Sequence, residues 1–247
     1  ARDRDGYFRI NEEGTRALVE AAEKARVRRF VHISSLAARE PQLSHYAASK
    51  RAGEQVVEQH MAALNAVIIR PPAVYGPGDR GTLPLIKELT RPLAVIPGRP
   101  EARFSLIHGR DLARIVAMAV EGSEQGIQEV SDGKAGGYGW EDLIASAAAL
   151  RGANVTPMFL PRAIPAAVAF VVETRARLKG LTTMINRGKI AELYHGDWVA
   201  REGSLVLADP IPFAEGLAET VTWYRAAGWL PQALAPDRRA ASSKTSQ

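Results

Sequence analysis

Two short apolar runs, FVHIS from Phe30 to Ser34 and AVIIRPP from Ala66 to Pro72, constrain the fold of this chain more than any other feature. Each is almost continuously apolar rather than alternating, the pattern of a strand covered on both faces within a parallel sheet. Parallel neighbours need a crossover of a dozen or more residues between them, and helix-spaced segments precede and separate the two runs. Asn11, Glu12 and Glu13 read as a helix start, an amide cap followed by acids at the positive helix end. Leu18, Ala21, Ala22 and Ala25 recur behind it at helical spacing. Ser44 offers the cap of a second helix that runs through Val56 and Val57 toward Leu64, and Pro71 and Pro72 stop the second strand. Helix, strand, helix, strand in this order predicts an α/β fold.

Further along, Leu83 to Leu89 reads as an apolar helix, FSLIH and DLARIVAMAVE as a strand feeding a helix, and IQEVSD as one more strand. Beyond residue 150 the pattern is helical and less regular, and residues 236–247 are polar, as in a tail without fixed structure. The most apolar segment, AIPAAVAFVV from Ala163 to Val172, is about half of the roughly 20 residues that span a bilayer. Arg175, Arg177 and Lys179 follow it and leave a weak membrane-surface contact open, although a buried helix or a substrate-domain helix is the stronger expectation. The net charge of +5 comes from scattered residues with no aromatic-interleaved basic stripe, which argues against nucleic acid as a partner. With no cysteine, disulfides, thiolate nucleophiles and zinc–thiolate sites are excluded; no metal site is expected, and the composition suits the cytoplasm.

Chemistry concentrates between Ser34 and Lys50. Helical positions i and i+4 share a face, so Tyr46 and Lys50 are neighbours. Ser35 ends the preceding strand at the carboxyl edge, where α/β sheets place ligands. A phenol ionises near pH 10, and bringing it to neutrality needs roughly 4 kcal/mol of differential stabilisation, part of which an adjacent ammonium supplies. A serine hydroxyl can hold a substrate oxygen while the tyrosine exchanges its proton.

A tyrosine and a lysine four residues apart are common in helices, and the flanking motifs make this pair specific. NEEGT, FVHISS, YAASK, IIRPPAVYGPGD and FSLIHGRDLA, in this order and spacing, resemble the extended branch of the short-chain dehydrogenase/reductases. That branch is the NAD-dependent epimerase/dehydratase family, with its sugar-nucleotide epimerases and 3-beta-hydroxysteroid dehydrogenase-like enzymes. The resemblance covers residues 7 to 150 and continues weakly through GLAETVTWYRAAGWL. It implies that Tyr46 is the acid/base, that Lys50 binds the nicotinamide ribose and tunes Tyr46, and that Ser35 orients the substrate, with Ser34 beside it near the nicotinamide. Pro71, Pro72, Ala73 and Val74 would lie against the nicotinamide amide. Asn11 occupies the family's N-x-x-G-T position, near cofactor or structural water if it is not a plain helix cap. Arg103 would reach a substrate phosphate, Glu54 and Asp111 would be structural acids, His108 would be packed, and Trp223, Tyr224 and Trp229 would fill the core.

The fold implied is an incomplete Rossmann-like parallel sheet, its N-terminal strands absent, with a smaller, mostly helical C-terminal substrate domain. Residues 1–75 would be the catalytic half of the NAD(P)-binding domain and 76–235 the substrate-binding region, with 103–131 returning to the core. The family's opening strand, glycine-rich turn and helix, which hold the cofactor pyrophosphate, have no counterpart in this sequence. GKAGGYG, Gly133 to Gly139, has the wrong spacing and reads as a loop into a substrate-domain helix. The resemblance therefore implies a longer enzyme, with these residues inactive alone. Its activity would be that of an NAD- or NADP-dependent oxidoreductase or epimerase, moving hydride at a secondary alcohol or ketone. The small-molecule substrate would be a sugar nucleotide or related hydroxy compound; a 3-beta-hydroxysteroid-type dehydrogenase and a non-catalytic binding protein on the same fold are the alternatives. A homodimer is compatible with this family.

Overall fold

Asp3 opens the first helix, its carboxylate accepting the Gly6 N–H at 2.8 Å. In the computed structural model, which describes residues 3–178 and 186–232, α1 (Arg4–Phe8) continues through a π-helical turn (Arg9–Glu13) into α2 (Gly14–Lys24). Asn11 thus lies inside a continuous helix and caps nothing, because Asp3 already supplies the cap. The inward face of α2 also differs from expectation: Thr15, Val19 and Ala22 are buried, whereas Leu18 is 64% exposed. The tail expected from residue 236 lies outside the described residues.

β1 (Phe30–Ile33), β2 (Ala66–Arg70) and β7 (Gly126–Glu129) form a parallel sheet in the order β1-β2-β7, with Val31 beside Val67 and Ile68 beside Ile127. Its central strand is buried along its whole length. Alternate side chains of β2 explain why: Ala66 and Ile68 pack with Val19, Val56, Val57 and Leu64 on one face. Val67 and Ile69 pack on the other with Ile107, Ile115 and Ala119. The helices responsible are α2 and α3 (His45–Gln59) on the first face and α5 (Gly109–Glu121) on the second. Burying each of these aliphatic side chains contributes roughly 1.5–3 kcal/mol. Ser44 caps α3 as its position suggests, accepting the Ala47 N–H at 2.9 Å, but the helix ends at Gln59 rather than near Leu64.

The remaining strands form pairs. β3 (Ala73–Tyr75) lies beside β6 (Leu106–His108), β4 (Leu93–Ile96) beside β8 (Thr156–Phe159), and β5 (Arg103–Phe104) beside β9 (Asp197–Trp198). The expected FSLIH strand is thus split at Ser105, because its two halves serve different partners. A second core gathers around Leu143 of α6 (Trp140–Arg151), Ile86 and Leu89 of α4 (Leu83–Leu89), and Leu217 and Tyr224 of α9 (Phe213–Ala226). Tyr224 and Trp229 stack in it with ring centres 5.4 Å apart; Trp223, expected inside, is 37% exposed. The glycine cluster is the loop into α6: Gly137 has φ +65°, and a Cβ there would meet the Phe104 carbonyl oxygen at 2.9 Å. α7 (Ala163–Leu178) is not the buried helix that its apolar run suggested, since Ile164, Val168, Phe170 and Val171 face outward. It packs on α8 (Arg187–Leu193) through small ones.

Candidate active site

Backbone hydrogen bonds fasten the carboxyl ends of β1 and β2 together. Ser34 N–H donates to the Ile69 carbonyl and Leu36 N–H to that of Pro71, both at 2.8 Å. The chain then leaves the sheet edge through Ser35, whose extended backbone and hydroxyl, accepting the Ala37 N–H at 3.2 Å, open a 3-10 turn over Leu36–Arg39. α3 starts soon after, so Tyr46 lies in its first turn and Lys50 one turn further on. The Ser35 hydroxyl lies close enough to the Tyr46 phenol to favour its ionised form. The Lys50 ammonium donates to the Ile33 carbonyl at 3.1 Å. Ser35, Tyr46 and Lys50 are therefore gathered at the carboxyl edge of the sheet, with Pro71 beside them.

Burial pushes the Tyr46 phenol above its ordinary value of 10; the Ser35 hydrogen bond opposes that rise, and the charges of Glu192 and Tyr7 add to it. Burial pushes Lys50 the other way, below its ordinary value, against the pull of Glu54. Without further charge at the site the Tyr46 phenol stays protonated at neutral pH. The Tyr7 ring lies edge-on to it at 5.9 Å.

Behind the edge sits an ion-pair network. Glu54 is 0% exposed and accepts Arg70 Nε at 2.8 Å, Arg70 Nη2 at 2.6 Å, Arg51 at 3.1 Å and the Ser34 hydroxyl at 2.5 Å. Burial raises its pKa, but Arg70, Ser34 and Arg51 outweigh that effect and hold it below the usual carboxylate value. Glu129 joins from β7, 4.0 Å from Arg70 and 3.6 Å from Arg39 of the turn. Ser34 thereby donates its hydroxyl proton to Glu54. His32, on β1, is desolvated and lies near the Lys50 charge, which together lower its pKa to about 4, with Glu54 pulling upward.

Of the other residues singled out in the sequence, Asn11 donates its side-chain amide to Ser49 Oγ at 2.9 Å, which ties the π-helical turn to α3. Pro71 and Pro72 are buried, whereas Ala73 is exposed and Val74 partly so. Arg103 stands at a half-exposed position on β5, where its guanidinium pairs with Glu141 at 2.7 Å. Asp111 is buried in the first turn of α5 and accepts the Ile211 N–H at 2.7 Å. His108 is buried at the N-cap of the same helix. Sequence reasoning missed Arg70, Glu129 and Glu192. The one available signal was Arg70 itself, a cation ending a buried strand and therefore in need of a carboxylate.

The profile of the NAD dependent epimerase/dehydratase family matches residues 1–130. A ceramide reductase of Caulobacter vibrioides is 39% identical over 234 residues, covering 94% of this chain and 73% of that protein. The chain belongs to the NAD-dependent epimerase/dehydratase family. Solved structures agree on the fold of that family. The UDP-glucuronic acid 4-epimerase of Bacillus cereus in complex with NAD superposes with a TM-score of 0.66 at 18% identity, over 92% of this chain and 70% of that one. The protein gox2253 superposes at 0.68 with 23% identity, over 93% and 76%.

The site fits the cofactor of this family. The Lys50 ammonium spends one of its three N–H donors on Ile33, which leaves two for the hydroxyls of a ribose.

Proposed function

We propose that Ser35, Tyr46 and Lys50 are the catalytic group of an NAD(P)-dependent oxidoreductase that interconverts a ketone and a secondary alcohol on an apolar, ceramide-related substrate. The reading rests above all on the way β1, the turn and α3 bring Ser35, a half-buried Tyr46 and Lys50 to one sheet edge, with Lys50 one turn beyond Tyr46. A nicotinamide bound there supplies or accepts the hydride. In the reducing direction the Ser35 hydroxyl holds the substrate oxygen, and Tyr46 gives it the phenolic proton as the carbon gains hydride. Solvent then returns that proton to Tyr46. Lys50 grips the ribose and offsets the phenolate charge while it lasts. Ala73 and Val74, just beyond the paired prolines, would border the nicotinamide, with Asn11 acting through Ser49.

Two observations favour an apolar substrate over the sugar nucleotide expected from the sequence. The relative that shares 39% identity is named a ceramide reductase. Arg103, the expected phosphate ligand, is paired with Glu141. The test uses the full-length enzyme and follows NADH or NADPH consumption with keto-lipids and UDP-sugars. Tyr46→Phe should leave cofactor affinity within about twofold and lower turnover at least about a hundredfold, the lower range for a lost acid/base. Near-parental turnover of Tyr46→Phe would refute the catalytic assignment. Turnover of UDP-sugars but no keto-lipid would refute the substrate class.

A further inference from the structure

α7 packs inward through Ala166 and Ala169 and turns several of its large apolar residues outward. Ala169 is fully buried, and Ala166 packs with it against Ile190 and Tyr194. Ile164, Val168, Phe170 and Val171 stand 51%, 50%, 57% and 49% exposed. Helical spacing lines Ile164, Val168 and Val171 along one strip, with Phe170 at its margin. A helix that serves only a protein core does the reverse, and contiguous exposed apolar surface of this kind marks an interaction site.

Charge decides the occupant. Residues 161–193 hold six Lys/Arg against two Glu, so this segment carries four of the chain's five net positive charges. Both acids are already engaged. Glu173 is paired with Arg187 at 3.1 Å, and Glu192 with Lys189 at 3.2 Å and with Ser44. Arg162 and Arg175, at either end of the apolar strip, are exposed. An apolar helical face with cations along its rim is the composition of a helix that lies in the plane of an anionic bilayer. Its arginine stems can cover acyl chains while the guanidinium groups remain at the phosphates. A second copy of the chain suits the face less well, since two-fold packing would set like-charged rims against each other.

We propose that α7 lies flat on an anionic phospholipid surface, with Ile164, Val168, Phe170 and Val171 inserted among the acyl chains. The proposal stands on α7 and its flanks and is independent of the catalytic reading.

The chain has no cysteine, so Phe170→Cys in the full-length protein takes a single environment-sensitive fluorophore, and Leu18→Cys on α2 serves as the control. Phosphatidylglycerol-containing vesicles should raise the emission at position 170 at least about threefold, with a blue shift, and leave position 18 unchanged. The triple variant Val168→Ser/Phe170→Ser/Val171→Ser should pellet with those vesicles at least about tenfold less than the parent. Arg162→Gln/Arg175→Gln should weaken binding in the same direction, as should salt near 1 M, where the Debye length is about 3 Å. Melting curves of the serine variant should overlay the parent's, since the altered side chains are half exposed. A silent probe at position 170, an equal response to pure phosphatidylcholine vesicles, or parental pelleting of the serine variant would each overturn the proposal. So would a serine variant that turns a dimer into a monomer while the parent binds no vesicles.

Discussion

Replacing Glu54 by glutamine keeps the volume of a fully buried side chain and removes its charge. Arg70, 8% exposed, would then lose the carboxylate that it contacts through two nitrogens at 2.8 and 2.6 Å. Removing one partner of a buried ion pair costs about 3–5 kcal/mol, because the other charge stays buried. Glu129, 4.0 Å from Arg70, softens the loss, and a glutamine oxygen can still accept from Ser34 or Arg70. The expected destabilisation is therefore at the lower end, about 3 kcal/mol. For a chain of this size that corresponds to a fall of about 6–12 °C in melting temperature. Urea and thermal unfolding of the full-length enzyme would measure both. Arg70→Met alone should be similarly harmful, and the double variant should fall short of the summed losses by about 2 kcal/mol or more, the mark of direct coupling. The pH dependence has a definite sign. Glu54 is held below its ordinary value of 4.5, chiefly by Arg70 and Ser34 working against burial. Its contribution is therefore complete above about pH 4.5 and is lost as pH falls through the folded-state pKa. The gap between parent and Glu54→Gln should be widest at neutral pH and close in acid. A gap below about 1 kcal/mol at pH 7, or one that does not change down to pH 3, would refute the ion-pair account.

Gly53→Ala would place a Cβ 2.2 Å from the Asn11 carbonyl oxygen, backbone against backbone, so α3 and the π-helical turn must separate. A loss of about 1–3 kcal/mol is expected, and a parental melting curve would refute that close approach. Ser44→Ala removes the N-cap of α3 and should cost about 1 kcal/mol in urea unfolding. His32 should titrate near pH 4 by proton NMR, because burial and then Lys50 disfavour its charge. Since the folded-state value is depressed, the neutral imidazole stabilises the fold above pH 6.5, and that stability declines as pH falls toward 4. Lys50→Met should move the midpoint upward; a midpoint above 6 in the parent would refute this packing.

The α/β class, the two parallel strands and the tyrosine–lysine face of α3 were legible in the sequence because each rests on local periodicity. Two-sided burial demands a continuous apolar run, which AVIIR supplies and β2 realises, whereas FVHI, read the same way, lies at the sheet edge only partly buried, with Ile33 38% exposed. A four-residue helical spacing sets Tyr46 beside Lys50 wherever that helix is placed. The family motifs added roles to those positions. What local pattern could not reveal is what lies opposite each residue in space. Asn11 has the composition of a cap, yet Asp3 opened the helix earlier and Asn11 serves Ser49 instead. Ser34 looks like part of the ligand edge, but a carboxylate from α3 claims its hydroxyl. Arg70, Glu54 and Glu129 come from three separate segments and become a network only when β2 is bracketed by β1 and β7. The same holds for α7, whose apolar run reads more readily as a covered helix than as a surface one. Only its packing decided the matter: Ala166 and Ala169 meet Ile190 and Tyr194, and helical geometry then turns Ile164, Val168 and Phe170 outward.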